Sequence, residues 1–163
     1  MRTFFLVTFV LNLSLNVASL GLLPETAAIH FSLGGRPDGW ASKETYALLM
    51  LFVDGIVFLP LYFSSAVIDR VPSRFISLPY KQYWLQEGNR TQAKRMLAHM
   101  MDEFGLSLFS FLFGVSLLAI EANRSTPVQL SEPLFLVLLV VFLLYTLIWT
   151  IRLVLRFRLP ERL

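Results

Sequence analysis

The chain has no cysteine and only two histidines, His30 and His99. Disulfides, thiolate nucleophiles and thiolate-held metals are therefore excluded, and so is a multi-histidine metal site. Charge is scarce too. Asp, Glu, Lys and Arg make up 15% of the 163 residues and hydrophobic residues 56%, whereas soluble domains are about a quarter charged. No internal repeat, low-complexity linker or separate soluble segment is present. What remains is an integral membrane protein, with no cofactor expected.

Four apolar runs stand out, at roughly 3–23, 45–66, 104–120 and 133–151. Crossing about 30 Å of hydrocarbon at 1.5 Å per residue takes roughly 20 residues. The third run is short by itself, but residues 91–103 contain no glycine or proline. They place Leu97, Met100, Met101 and Phe104 on one helical face, so one helix is expected from near 91 into the apolar run. Ser131, Glu132 and Pro133 read as a cap, an acid at the positive helix end and a first-turn proline. Tyr145 and Trp149 read as interfacial aromatics. The expected architecture is all-α: a single membrane domain over 1–163, a four-helix bundle with a short extracytoplasmic loop and an amphipathic cytoplasmic segment.

Basic residues near span ends are retained in the cytoplasm. Arg2 precedes the first run; Arg70, Arg74, Lys81, Arg90, Lys94 and Arg95 lie between the second and third; Arg152, Arg156, Arg158 and Arg162 follow the fourth. Only Arg36, Lys43 and Arg124 fall on the other side. Both termini are thus expected in the cytoplasm of a bacterial inner membrane. A cleaved signal peptide is the competing reading of the first run, with Arg2 as its n-region and Val17-Ala18-Ser19 near a cleavage site. The length of the run, and Asn12 and Asn16 inside it, favour a retained span.

Between the second and third runs, Ile76-Ser77-Leu78-Pro79-Tyr80-Lys81-Gln82-Tyr83-Trp84-Leu85 sets aromatics beside basic residues. Leu78, Pro79, Tyr80, Tyr83 and Trp84 read as an interfacial motif, with its rings at the acyl boundary and its cations toward anionic lipid headgroups. The adjoining spans explain the basic charge without nucleic acid.

Asp54 falls near the middle of the second run. A carboxylate at that depth costs about 2.5–3.5 kcal/mol on insertion scales and needs a partner. Asn12 and Asn16, four apart on one helical face, lie at a similar depth and are expected to pair with it. The alternative use of Asp54 is proton or cation coupling in a small transporter or channel component. Pro60 reads as a kink. Ser107, Ser110 and Gly114 form a small-residue face suited to close helix contact.

The loop IHFSLGGRPDGWASK, residues 29–43, is the densest cluster of turn residues and polar groups. Residues 27–33 can extend, Gly34 and Gly35 supply positive φ, and Arg36-Pro37-Asp38-Gly39 reads as a turn. Trp40 would anchor the loop, and Ser42 would cap the second span beside Glu44. His30 and Asp38 can brace each other by a hydrogen bond. With Ser42 they supply the residue types of a hydrolase triad, but no nucleophile elbow accompanies them, and no enzyme is expected.

Leu23-Pro24, Ile29-His30-Phe31, the run Gly35-Arg36-Pro37-Asp38-Gly39-Trp40 and Lys43 resemble the signature of a bacterial membrane family of unknown function. Its domain also forms the N-terminal part of SdpI-like toxin-immunity proteins. The segment around Leu78 and Trp84, followed by Glu87 and Arg90, looks like a second motif of the family's short members. The resemblance implies a recognition or structural module, and toxin immunity is one function it would carry over. SdpI-like proteins have further spans beyond the four seen here. A binding or sensing module, or a small accessory subunit of a membrane complex, is the leading expectation, with a membrane-protein partner or a second copy as its target.

Overall fold

The computed structural model describes residues 1–159, apart from the side chains of 65, 67 and 68. Arg162, one of the basic residues used for orientation, lies outside the described residues. Four helices are long and apolar enough to cross a membrane: α1 (Arg2–Leu22), α2 (Lys43–Tyr62), α5 (Glu87–Arg124) and α6 (Glu132–Arg156). Two short helices, α3 (Ser64–Arg70) and α4 (Lys81–Trp84), lie between α2 and α5.

The expectation of an all-α fold needs one correction. The connection from α1 to α2 is an antiparallel hairpin of β1 (Thr26–Phe31) and β2 (Pro37–Ser42). Pro24 stops α1, since the residue before a proline is pushed out of the helical region; Leu23 is extended, with ψ 150°. The reversal is made by Gly34 and Gly35, at φ 82° and 72°. Arg36, Pro37, Asp38 and Gly39, expected to form a turn, instead lead into β2, because two successive positive-φ residues already reverse the chain. Pro37 is tolerated as the first residue of its strand.

The helix ends also depart from expectation. Ser42 caps α2, its hydroxyl accepting from Thr45 N at 3.2 Å, but α2 stops at Tyr62 rather than running to 66. Pro60 lies in its last turn, where its missing N–H removes the bond back to Ile56 O, and Phe63 separates α2 from α3. The 38-residue α5 starts before 91 and would extend about 57 Å, well beyond the hydrocarbon thickness. Ser131 stands at the N-cap of α6, but its side chain makes no capping bond.

α5 is the hub. α1, α2, α3, α4 and α6 pack on it, α1 also packs on α2, and α6 has its substantial contact with α5 alone. The bundle is therefore open, with α6 appended to a three-helix unit and most of its apolar side chains exposed. Gly105 allows α1 to approach closely, since a Cβ there would lie 2.5 Å from Phe5. Gly114 faces Leu138 of α6, whereas Ser110 is exposed and bonds to Leu106 O of its own helix. The expected Ser107, Ser110 and Gly114 seam thus gives way to separate contacts.

Trp149 and Tyr145, expected at the interface, hold α6 to α5. Trp149 is buried and donates from Nε1 to Met100 O at 2.9 Å, and the Tyr145 hydroxyl donates to Glu103 O at 3.3 Å. A buried aromatic with a polar handle needs such a partner.

Candidate functional site

Two-stranded hairpins are marginal alone, and this one is held by its neighbours. The Ala28 amide donates to Asn123 Oδ1 at 2.6 Å, and Asn123 Nδ2 donates back to Ala28 O at 3.0 Å. One α5 side chain thus stands in for a neighbouring strand. Leu130 N donates to Gly35 O at 2.9 Å, and Gln129 Nε2 to Gly34 O at 3.2 Å, which docks the tip on the α5–α6 connector. Sequence reading missed Asn123. Its signal was an asparagine in the last turn of a long helix, where a C-terminal cap is the simpler explanation.

On this frame, His30 Nδ1 meets Asp38 Oδ1 at 2.5 Å with both side chains exposed. The Arg36 carbonyl accepts from Ser32 N at 2.8 Å and Ser32 Oγ at 3.0 Å, and its side chain is exposed. Trp40 pairs with Ala28 in the ladder and is half exposed. Lys43 Nζ donates to Glu25 Oε1 at 2.6 Å. A Cβ on Gly39 would come within 3.0 Å of His30 Cβ, so this glycine lets the strands close around the His30 and Asp38 pair.

Ser42 does not complete a triad. It is opposite Thr26 while His30 is opposite Gly39, about 13 Å apart along the strand at about 3.3 Å per residue. Its hydroxyl is already used as the α2 cap.

Below the hairpin is a cavity of about 330 Å³, within the 300–1,000 Å³ range typical of small-molecule pockets. The hairpin roofs it through His30, Ser32 and Gly35; Met50 of α2 and Phe135 of α6 are walls, and Ser116 and Ala119 of α5 form its floor.

A polar seam crosses the apolar middle. Asn16 Nδ2 donates to Asp54 Oδ2 at 2.8 Å, and the Ser19 hydroxyl donates to Asn16 O at 2.7 Å. Asn12 does not join Asp54. Its Nδ2 donates to Phe109 O on α5 and to Thr8 O, both at 2.8 Å, so the two asparagines tie α1 to different helices. The Oδ1 atoms of both are buried without a partner.

At the opposite end, the interfacial reading of Trp84 is corrected. Trp84 is 4% exposed and donates from Nε1 to Phe157 O at 2.9 Å. It packs with Ala93 and Phe157, a better use of a large ring than the headgroup layer because α6 ends there. Leu78 and Tyr83 pack against this cluster, Pro79 is half-buried, and Tyr80 is exposed at φ 51°. Two further pairings were not anticipated. Glu103, almost buried, meets Arg152 Nη2 at 3.2 Å and His99 Nδ1 at 3.3 Å. Asp69 of α3 meets Lys94 Nζ at 2.5 Å, and the Lys94 ammonium holds its carboxyl below the usual carboxylate range.

Residues 7–53 match the family model described as Domain of unknown function (DUF1648). The matched segment runs from α1 through the whole hairpin into α2 and stops just before Asp54. No curated protein and no solved structure matches the chain.

Proposed function

We propose that the chain is a multi-pass protein of a bacterial inner membrane that works as a binding or sensing module, or as an accessory subunit of a membrane complex. Its hairpin end faces outward and both termini lie in the cytoplasm. The observation that carries this reading is the docked hairpin: it exposes Arg36, Trp40 and the His30 and Asp38 pair, and His30 also lines the space of ligand size that the hairpin roofs. The family match covers the entire hairpin, and fold-level likeness alone says little about function.

Affinity purification from native membranes, followed by mass spectrometry, tests the role. A species recovered with the parent protein and lost with both Arg36→Ala and Trp40→Ala, at unchanged melting temperature, supports recognition through the hairpin. Retention of every species by both folded variants sinks it. Resemblance to SdpI-like proteins makes a peptide toxin one ligand worth including. Orientation is tested separately with single cysteines in this cysteine-free chain: an impermeant maleimide should label position 32 and spare position 86 in intact cells.

A second reading is favoured by one observation, the burial of Asp54 beside the unpartnered Asn16 Oδ1. Intramembrane acids are functional sites by default, and a proton-coupled transporter or channel component would use this one. Ion flux in reconstituted vesicles that disappears in Asp54→Asn, with the fold intact, would establish that role.

A further inference from the structure

The cavity under the hairpin has one side that the protein leaves open. α2 and α6 both rest on α5 without substantial contact with each other, so the groove between them opens sideways at lipid depth while the hairpin closes it above. Its walls are largely apolar, through Met50, Val115, Ala119, Phe135 and Leu136. Ser116 is the exception: it is 94% buried by its 6% exposure, lines the cavity, and has no described hydrogen bond from its hydroxyl. The Tyr46 hydroxyl, in the same wall, is buried without a partner.

One acidic side chain lines the cavity. It is Glu132, in the first turn of α6, which makes no ion pair among the described residues. His30, on the hairpin side, is already joined to the Asp38 carboxylate. An apolar groove, open on one side, with one buried hydroxyl and one acid in its lining suits an amphiphile with a hydrocarbon body, an ester-type acceptor and a cationic head.

We propose that the cavity binds one acyl chain of a membrane phospholipid whose headgroup bears an ammonium, with Ser116 donating to an ester carbonyl and Glu132 facing the ammonium. This rests on the reading of the hairpin end as a binding module and names its ligand class. A free fatty acid or an anionic phospholipid would set a carboxylate or an uncompensated phosphate against Glu132, a like-charge contact.

The test uses the full chain reconstituted in vesicles containing one of three probes with the same diazirine-bearing acyl chain: phosphatidylethanolamine, phosphatidylglycerol or the free fatty acid. After irradiation, labelled peptides are mapped by mass spectrometry. Labelling at Met50, Ala119 and Phe135 is expected to be at least threefold stronger with the phosphatidylethanolamine probe. Ala119→Phe, which fills the cavity, should remove that labelling, and Glu132→Gln should equalise the phospholipid probes. Ser116→Leu replaces Ala119→Phe if the latter does not melt as the parent does. Equal labelling by all three probes overturns the proposal, as does a preference that survives Glu132→Gln. Labelling of the outward Val137, Val141 and Leu144 as strong as in the cavity also overturns it, since that pattern is annular lipid. Hairpin variants that still lose their partner would leave the recognition role standing when the lipid result fails; retained partners alongside cavity labelling would reject the partner and keep the lipid.

Discussion

Asn123 and Ala28 are 95 positions apart, and the side-chain amide of the first pairs with both backbone groups of the second, at 2.6 and 3.0 Å. A helix end thereby serves as the third strand that the hairpin lacks. Asn123→Ala would leave two buried backbone groups unsatisfied, at about 1–3 kcal/mol each. Melting in detergent should show a loss of roughly 2–6 kcal/mol, with faster hydrogen exchange at the Ala28 amide. Asn123→Asp keeps an acceptor for that amide and should fall between parent and alanine variant; equal melting of all three would refute the clasp.

The contact between Asn16 and Asp54 makes a separate prediction. Asp54→Asn can still pair with Asn16 and should melt close to the parent, whereas Asp54→Leu should lose about 1–2 kcal/mol, the upper part of measured intramembrane hydrogen-bond values. Asn16→Leu combined with Asp54→Leu should cost less than the sum of the single changes, because the second change removes a bond already gone. Strict additivity would mean that the two side chains do not stabilise α1 against α2.

Gly34 and Gly35 separate conformational strain from steric exclusion. Both have positive φ, but a Cβ on Gly34 meets nothing within 4 Å, while one on Gly35 would lie 2.1 Å from Leu130 O. Gly34→Ala should cost about 1–2 kcal/mol for the left-handed backbone alone. Gly35→Ala must add displacement of the α5–α6 connector and lose the Leu130 to Gly35 hydrogen bond. Melting curves of the pair decide it, and similar losses would show that the tip is not docked as described.

Asp69 governs the attachment of α3 to α5 at low pH. Lys94 lowers its pKa from the ordinary 3.8, so the unfolded carboxyl takes up a proton before the folded one does. The contribution is fully present above about pH 4 and is lost as pH falls through the lower folded value. Protection from hydrogen exchange over 64–70, relative to the intrinsic rate at each pH, should therefore fall below about pH 4 in the parent and lose that pH dependence in Asp69→Asn. An unchanged profile in the variant would assign the transition to another group.

The four long helices were legible because hydrophobic length is a local property: about 20 apolar residues cross the hydrocarbon wherever the chain puts them. Ser42 as a helix cap and the two positive-φ glycines were legible for the same reason, since each follows from chemistry within a few residues. The hairpin was half legible. Extension of residues 27–33 could be read from alternation, but Pro37 and Asp38 carry turn propensity strong enough to mask β2. Asn12 and Asn16 could be placed on one face, yet their spacing did not say that one reaches Asp54 and the other α5.

By itself, then, the sequence determined which segments can cross a membrane, where the chain must reverse and which polar groups cannot be left bare in lipid. Tertiary structure decided the partners. Asn123 became a strand surrogate, Trp84 an anchor for the end of α6, and the space between α2 and α6 a roofed cavity. The physical reason is that backbone propensity and hydrophobic length act over a few residues, whereas hydrogen-bond satisfaction and close packing depend on which distant atoms arrive at the same place.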